Sequence, residues 1–332
     1  MQKFVQKNYA FDARKKIIAS EEGYSKENWE LFAELGWLTV PFKEEDGGFG
    51  GSAVDLTVMM DEFGKSNLVE PFTPTVILSG GLISTLAGND QKSGLLGPLM
   101  EGKLQLACAY AEADSRFNLS SVSTTATVEG DQVNIEGGKI NVLNASNADK
   151  LLVVARESGG RTDREGISIF LVDSDSEGLL IQPYTNVDGK KAAQVGFASV
   201  SIPLTARLGK AGQALSALET VVDRATVAVS AEAVGALEVL LQKTVEYSKT
   251  RKQFGSPIGT FQALQHRMAD MFIECQLARS IVIMAAMKLD GSDSDVEKSK
   301  AVSAAKSRVG KAIEKVGQEA IQIHGGIGMT EE

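Results

Sequence analysis

The apolar residues of this chain change their spacing twice, and this change limits the folds open to it. Between residues 26 and 35 they recur at helical spacing, and Gly36 follows as a helix stop. From about residue 104 to 208 the helical spacing is lost, and short runs rich in β-branched residues take its place. After Lys210 the helical spacing returns. This order predicts a helical region, a β region and a second helical region.

The C-terminal region carries three long apolar stripes. Each repeats every three or four residues over several turns, which is the pattern of long helices packed as a bundle. The stripes are Leu215, Leu218, Val222, Ala225 and Val229; Phe261, Leu264, Met268, Met271, Cys275, Ala278 and Val282; and Val302, Ala305, Val309, Ala312, Val316, Ala320 and Ile323. The polar segment 290–295 predicts the link between the second and third helices.

The middle region predicts antiparallel β-structure. Glu129-Gly130-Asp131 separates two β-rich runs, which is typical of a hairpin. No helical stripe separates the runs, and this argues against a parallel Rossmann sheet and for a small antiparallel barrel or sandwich. The runs are 124–128, 132–135, 151–155, 167–172 and 195–202.

These regions together predict an α+β multidomain protein. We expect an N-terminal helical domain over residues 1–103 and a middle antiparallel β-barrel or sandwich over residues 104–208. A C-terminal four-helix bundle is expected over residues 209–332, and we expect it to need further helices after residue 332. The glycine-rich stretch 46–52 lacks the βαβ setting and the lysine of a phosphate-binding loop. We interpret it as a turn into a helix capped by Ser52, with Asp55 completing a capping box.

Composition excludes several classes of protein. The net charge of −9 disfavours nucleic acid as a partner, because such binding depends on Lys and Arg displacing counterions. No apolar run approaches the roughly 20 residues of a membrane span, and residues 1–14 lack an apolar signal core, so we expect a cytoplasmic protein. Cys108 and Cys275 lie among apolar neighbours and predict buried thiols.

Metal and serine-nucleophile chemistry are disfavoured as well. The only histidines are His266 and His324, so no Cys/His cluster exists for zinc and we predict no metal site. Neither histidine lies near a nucleophile-elbow motif. The chemistry must therefore come from a cofactor or a carboxylate.

Two segments carry candidate ligand-binding residues. The first is Arg251-Lys-Gln-Phe-Gly-Ser-Pro-Ile-Gly-Thr-Phe-Gln262, and the second is Gln322-Ile-His-Gly-Gly-Ile-Gly-Met-Thr330. One interpretation is structural: the first is a loop between two helices with Thr260 as the cap of the next helix, and the second is a helix end. The other interpretation is a dinucleotide site.

The dinucleotide interpretation rests on side-chain chemistry. The guanidinium of Arg251 is a permanent planar cation suited to a pyrophosphate. Phe254 offers an apolar face to adenine, and Gln262 offers hydrogen bonds. Gly325 and Gly326 allow main-chain amides to approach a phosphate or a flavin edge.

With these two motifs the whole chain resembles the acyl-CoA dehydrogenase family. The resemblance implies an oxidoreductase with FAD at a subunit boundary, acyl-CoA as substrate and an electron-transfer flavoprotein as electron acceptor. Family chemistry is α,β-dehydrogenation, in which a carboxylate takes the α-proton and the flavin accepts the β-hydride. The matching residues that would hold the FAD of a neighbouring chain are Arg251, Gln253, Phe254, Gln262, Gln322, Ile323, His324, Gly325 and Gly326.

The chain departs from the family where its own site would lie. The Thr-Glu-Pro turn and glycine-rich segment of the family appear as residues 110–118, which keep Glu112 but lose the threonine, proline and glycines. The family's Trp-Ile-Thr-Asn appears as Asn141-Val-Leu-Asn144. On the first bundle helix, Thr226 stands at a common arginine position and Ala225 where some members carry the catalytic glutamate.

The catalytic base is therefore open. Asp223 is a weak candidate, because it lies two residues, roughly 200° of helix rotation, from the base position. Other members carry the base beyond the Gly-Gly motif, in a segment that would follow Glu332.

Three hypotheses follow from this asymmetry. The first is a weakly or non-catalytic FAD-binding subunit of an α2β2 complex with a catalytic acyl-CoA dehydrogenase, because residues 219–235 resemble the small subunit of pimeloyl-CoA dehydrogenase-type enzymes. Its substrate would be a dicarboxylic, fatty or steroid-derived acyl-CoA. The second is a self-sufficient homotetramer with its base in Asp223 or the C-terminal tail. The third, a DNA-coating flavoprotein, is disfavoured by the acidic charge balance.

Overall fold

The structure is a computed structural model that describes residues 1–330. Its helices are α1 (Gln2–Asn8), α2 (Phe11–Ile18), α3 (Lys26–Glu34), α4 (Ala53–Gly64), α5 (Gly81–Leu86), α6 (Asn89–Met100), α7 (Leu215–Thr250), α8 (Gln262–Asp290) and α9 (Asp295–His324), with a π-helix at Phe72–Gly80. Its strands are β1 (Leu106–Ala109), β2 (Thr125–Glu129), β3 (Gln132–Leu143), β4 (Lys150–Arg156), β5 (Ile167–Asp173), β6 (Leu179–Thr185), β7 (Lys191–Pro203), β8 (Arg207–Leu208), β9 (Lys252–Gln253) and β10 (Ser256–Pro257).

The chain forms two compact units. The first, which we call the helical unit, comprises residues 1–11, 52–68 and 226 onward. The second, which we call the β unit, comprises residues 12–51 and 69–225. The predicted α+β architecture is confirmed, while the predicted domain boundaries at residues 104 and 209 stay predictions.

The apolar stripes predicted for the C-terminal region become the buried faces of long helices. All seven stripe residues of α9 are buried, as are the last four of the α8 stripe. The α7 stripe departs from prediction at one end, where the Val229 side chain is 39% exposed. Within the described residues 209–330 there are three long helices, and the helical unit also contains α4, which comes from the N-terminal part of the chain.

The start of α4 is fixed by two sets of carboxylate contacts. Ser52 and Asp55 form the predicted capping box, with the Ser52 hydroxyl accepting from the Asp55 amide at 3.1 Å and the Asp55 carboxylate accepting from the Ser52 amide at 2.9 Å. Asp290, the last residue of α8, accepts from the amides of Ala53 at 2.7 Å and Val54 at 3.1 Å. Helix N-termini leave such amides without intrahelical partners, so both carboxylates stabilise this end.

Two glycines bring α4 and α7 into backbone contact. A β-carbon at Gly64 would lie 1.7 Å from the carbonyl oxygen of Glu232, and one at Gly235 would lie 1.9 Å from that of Asp61. Next to this crossing, Arg279 of α8 pairs with Asp61 at 3.0 Å and with Glu238. The helical unit therefore combines a close crossing with an ion-pair network at its edge.

The β unit is built on one eight-stranded sheet. The strand order is β6-β7-β3-β2-β4-β5-β8, and β1 pairs with β4. The predicted hairpin β2–β3 is confirmed as antiparallel. The sheet differs from the predicted antiparallel structure in two pairings. Strand β1 pairs with β4 in parallel, and the single residue pair between β2 and β4 is also parallel.

Three strands of the sheet were absent from the predicted set. All four residues of β1 are buried, so it lacks the alternation that marks a half-buried strand. In β6 every residue is at least partly exposed, and the apolar side chains that pack against the core, Leu179 and Ile181, are too few to mark a strand. The two residues of β8 are too few to give any period.

Arg156 ties two loops of the β unit together. Its buried guanidinium donates to the carbonyls of Ser120 at 2.8 Å and Val122 at 3.2 Å, and on the other side to four further carbonyls. Those four belong to Ser158, Arg161, Glu165 and Asp163, at 2.9–3.2 Å. Six carbonyls thus satisfy one buried cation, and both loops are fixed on it.

Candidate cofactor site

The first motif forms a short hairpin at the end of α7. The Arg251 amide donates to the Tyr247 carbonyl at 2.8 Å, which continues the helical bond pattern by one residue. Strands β9 and β10 then pair antiparallel, and the Ile258 amide donates to the Arg251 carbonyl at 2.9 Å. Ile258 is buried and anchors the base of the hairpin. The motif is therefore an ordered projection.

The tip of the hairpin is a strained and exposed aromatic residue. Phe254 and Gly255 connect the two strands with φ angles of +55° and +81°. A two-residue hairpin turn of this kind needs positive φ at both positions, which suits Gly and Asn. A bulky residue in this region costs about 1–3 kcal/mol. Phe254 is nevertheless 94% exposed, and its ring meets the Phe261 ring edge-on, with the ring centroids 6.2 Å apart.

The link from the hairpin to α8 differs from prediction in one detail. Thr260 was expected to cap α8, but its hydroxyl donates to the Pro257 carbonyl at 2.7 Å. The N-cap residue is Phe261, which makes no side-chain cap. Gln262 is the first residue of α8 and its side chain is exposed, so its amide is available for a ligand.

The second motif ends α9. His324 is the last helical residue, and Gly325 follows with φ of +63°. The His324 ring nitrogen Nδ1 lies 2.8 Å from the Ala320 carbonyl. Because a carbonyl oxygen only accepts, Nδ1 is the donor of this hydrogen bond, and Nε2 is the ring nitrogen left for a ligand. Gln322 is exposed, whereas the Ile323 side chain is buried in the core, so only the main chain of Ile323 can serve a ligand.

The two motifs, about 70 residues apart in sequence, meet through Tyr247 and His324. Their rings stack with centroids 4.4 Å apart and an interplanar angle of 24°. The Tyr247 hydroxyl donates to the His324 main-chain carbonyl at 3.3 Å. Sequence reasoning missed Tyr247, although its position one helical turn before Arg251 was a usable signal.

The exposed groups of these motifs fit a dinucleotide. Within residues 1–330 no carboxylate pairs with the Arg251 guanidinium, which is exposed. A β-carbon built on Gly255, Gly325 or Gly326 would have no heavy atom within 4 Å. An available cation, an exposed aromatic face and an uncrowded glycine main chain are features that pyrophosphate and adenine can use, although the Gly325 amide itself donates to the Gln322 and Ile321 carbonyls.

In the β unit, the one retained carboxylate of the family's flavin-binding turn is used internally. Glu112 accepts from the Lys139 ammonium at 2.7 Å, from the Thr124 amide and hydroxyl at 3.0 and 2.8 Å, and from the Ser123 amide at 2.7 Å. Burial alone would raise the pKa of Glu112, but the charge and hydrogen bond of Lys139 and the two amides lower that pKa to about 2. Glu112 is therefore a structural carboxylate.

The position of the family's flavin-packing tryptophan is also used internally. Asn141 takes that place with φ of +48°, and its side-chain oxygen accepts from the Tyr184 hydroxyl at 3.3 Å and from the Asn186 amide at 3.2 Å. A small amide engaged in two hydrogen bonds offers little surface for a flavin ring to pack on.

The base position on α7 carries no carboxylate, and Asp223 stays a predicted weak candidate. Ala225 is buried, and Asp223 is half-buried two residues away. No group of three or more His, Cys, Asp or Glu side chains that could hold a metal occurs among residues 1–330. Cys108 and Cys275 are buried free thiols, as predicted, and burial raises their pKa values to about 12 and about 11.

Comparison with known proteins places this fold. The sequence matches the N-terminal, middle and C-terminal domains of acyl-CoA dehydrogenases over residues 1–103, 107–200 and 212–332. It is 30% identical to the probable acyl-CoA dehydrogenase YngJ of Bacillus subtilis over 314 residues, which are 93% of this chain and 82% of YngJ.

Solved structures agree with these matches. The FAD complex of PigA has a TM-score of 0.91 at 25% identity, over 99% of this chain and 86% of that one. The Tcur3481–Tcur3483 steroid ACAD G363A variant has a TM-score of 0.87 at 27% identity, over 99% and 85%. The chain belongs to the acyl-CoA dehydrogenase family, and it is therefore an oxidoreductase whose cofactor is FAD.

One helix of the structure has the length and apolar composition of a membrane span. An 18-residue window of α7 reaches a mean hydropathy of 1.4. Core helices of soluble proteins reach the same values, so this single helix is weak evidence for a membrane location.

Proposed function

We propose that this chain is the FAD-sharing, weakly or non-catalytic subunit of a heteromeric acyl-CoA dehydrogenase. In an α2β2 complex it would supply Arg251 to the pyrophosphate and Phe254 and Gln262 to the adenine end of an FAD. The second motif, residues 322–326, would line the ribityl side, where Nε2 of His324 can form a hydrogen bond with a hydroxyl. The flavin ring and the acyl-CoA would lie mainly on the catalytic partner.

The observation that carries this proposal is Phe254. Its backbone is strained and its ring is almost fully exposed, and within residues 1–330 the edge contact with Phe261 buries little of it. An exposed outlier of this kind points to a role in binding. A planar ring of a neighbouring chain's cofactor is a surface on which such a side chain can pack.

The β unit supplies the complementary observation. Glu112 accepts a hydrogen bond from Lys139, and Asn141 accepts one from Tyr184. Ala225 stands where some members of the family carry the catalytic glutamate. The groups that would serve this chain's own flavin and substrate are thus absent or engaged, whereas those that would serve a neighbour are exposed. This contrast favours two functional FAD sites in the tetramer over four.

The outer face of α8 also calls for a partner. One face of the helix is buried, and the opposite faces carry large exposed apolar side chains, with Phe272 53% and Met287 62% exposed. The others are Ile273, Leu277, Ile283 and Met284. Contiguous exposed apolar side chains of this kind mark protein interfaces.

The chemistry of the assembled enzyme would be α,β-dehydrogenation of an acyl-CoA thioester. Bound FAD supplies a two-electron acceptor for the β-hydride, a function that no amino-acid side chain can perform. The partner would supply the carboxylate for the α-proton, and this chain would bind and orient the dinucleotide. We further propose a cytoplasmic location, an electron-transfer flavoprotein as electron acceptor, and a substrate from fatty acid or steroid catabolism, the latter supported by the resemblance to the steroid ACAD structure.

The test is a flavin count on the native complex purified with its partner. We expect two FAD per tetramer, and we expect Arg251→Ala to lose FAD while Lys252→Ala, which removes the neighbouring exposed cation, retains it. Full FAD content in the Arg251→Ala complex would contradict the assigned role. Four flavins per tetramer would contradict the shared-site arrangement, and full acyl-CoA-dependent dye reduction by this chain alone would support the homotetramer.

A further inference from the structure

We infer that Tyr247 is a positioning residue of the FAD site, which sets the second motif against the first. This inference rests on the proposed function and adds a residue to which that function gave no role. Tyr247 lies in the last turn of α7, before either motif begins.

Three contacts connect Tyr247 to both motifs. Its main-chain carbonyl accepts from the Arg251 amide at 2.8 Å, so it fixes the residue that carries the candidate pyrophosphate cation. Its ring stacks on the His324 ring at 4.4 Å, and its hydroxyl donates to the His324 carbonyl at 3.3 Å. One residue therefore contacts both the Arg251 hairpin and the end of α9.

The His324 side needs this support because the main chain turns sharply there. The helix ends at His324, and Gly325 adopts a positive φ with no side chain of its own. The Gly325 amide closes α9 by donating to the Gln322 and Ile321 carbonyls, and residues Gly325–Met329 form a short 3₁₀-helix, so the place of this turn is set by the end of α9 at His324. The His324 ring, held by Ala320 on one side and Tyr247 on the other, is the nearest fixed point.

The hairpin side is set by close packing on the same turn of α7. A β-carbon at Gly259 would lie 2.8 Å from the Ser248 hydroxyl oxygen, so this glycine permits the loop to approach the helix. The Gln265 side-chain amide donates to the Gly259 carbonyl at 2.9 Å. The hairpin therefore has its own anchors, and Tyr247 is needed to set its relation to α9.

The experiment compares Tyr247→Leu with Tyr247→Phe in the native complex stripped of FAD and titrated with FAD. Leucine keeps apolar volume but removes the stack, and we expect the FAD Kd to rise about tenfold. Phenylalanine keeps the stack and loses only the long hydroxyl contact, so the Kd should stay within about threefold of wild type. Thermal unfolding of the apo complex should stay within about 2 °C of wild type in both variants.

Several outcomes would overturn the inference. The first is an unchanged Kd for FAD in Tyr247→Leu. The second is a weaker FAD affinity accompanied by a matching fall in thermal stability, and the third is weakened FAD binding in Tyr247→Phe. If Tyr247→Leu does not fold, His324→Leu removes the same stack from the other ring and must raise the Kd similarly. Arg251→Ala is titrated in parallel. If this variant keeps its FAD affinity, the proposed function itself is wrong. If Arg251→Ala loses FAD affinity while Tyr247→Leu leaves the Kd unchanged, only this inference is wrong.

Discussion

Gly64 of α4 lies so close to the main-chain carbonyl of Glu232 in α7 that a β-carbon there would come within 1.7 Å of the oxygen. Neither backbone can shift without breaking its helix, so we expect Gly64→Ala to lower the free energy of unfolding by about 3 kcal/mol or more. Urea unfolding monitored by circular dichroism measures this loss.

Gly310 is the matched control for this prediction. It lies inside α9, and nothing is within 4 Å of a β-carbon built there. Alanine at this site should stabilise the protein by about 0.5–1 kcal/mol, because glycine loses more backbone entropy in a helix. Equal effects of Gly64→Ala and Gly310→Ala would show that propensity, and not the helix crossing, controls both.

The Glu112–Lys139 pair predicts acid sensitivity of the β unit. The pKa of Glu112 in the folded protein is about 2, below its ordinary value of 4.5, so the unfolded chain takes up the proton first as pH falls. The stabilisation is therefore complete above pH 4.5 and is lost between pH 4.5 and about 2, with a magnitude on the order of 3 kcal/mol. Unfolding midpoints measured across this range give the slope.

Glu112→Gln should flatten that slope while lowering stability at neutral pH, because it leaves the buried Lys139 without its anion. Glu136→Gln on the same strand as Lys139 serves as control, since Glu136 is exposed. If the unfolding midpoint of Glu112→Gln falls with pH as steeply as that of the wild type, other carboxylates cause the loss of stability in acid.

Asp290 predicts a stability link between the end of α8 and the start of α4. Asp290→Ala removes the acceptor for the Ala53 and Val54 amides, and we expect a loss of about 1–2 kcal/mol. Asp293→Ala, three residues on, removes a half-buried ion pair with Lys288 and should cost less than about 1 kcal/mol. Similar losses in both variants, measured by urea unfolding, would count against the cap.

Arg156 predicts local loss of order in the β unit. Arg156→Lys keeps the charge but cannot reach six carbonyls, so at least some of them lose their donor inside the protein. We expect a loss of about 3–5 kcal/mol and faster amide hydrogen exchange at Val122 and Thr124 than in wild type. Unchanged hydrogen exchange at these two amides would show that the loops stay ordered without the Arg156 guanidinium.

The sequence was sufficient where a regular period or a local rule determined the structure. The α9 stripe, the Ser52 capping box and the β2–β3 hairpin were all predicted and confirmed. It was insufficient where structure depends on contacts distant in sequence. No local sequence pattern predicts that β1 lies parallel to β4 or that Asp290 caps α4.

The candidate site divides in the same way. Arg251 and Gly325 were predicted from residue type, because each has a chemical property that a pyrophosphate or a close main-chain approach requires, and their roles stay predictions. Tyr247 was missed because its role comes from touching His324, 77 residues away. The backbone strain at Phe254 could not be predicted either, because residue identity does not determine backbone angles.

The exposed apolar side chains of α8 have a consequence for how the proposed heteromeric subunit must be made. In that assembly, a copy that leaves the ribosome before its partner is available carries Phe272, Leu277 and Met287 exposed to water and to other unfolded chains. Recombinant yield should therefore depend on the ratio in which the two messages are translated. Chaperone demand should fall once that ratio is balanced.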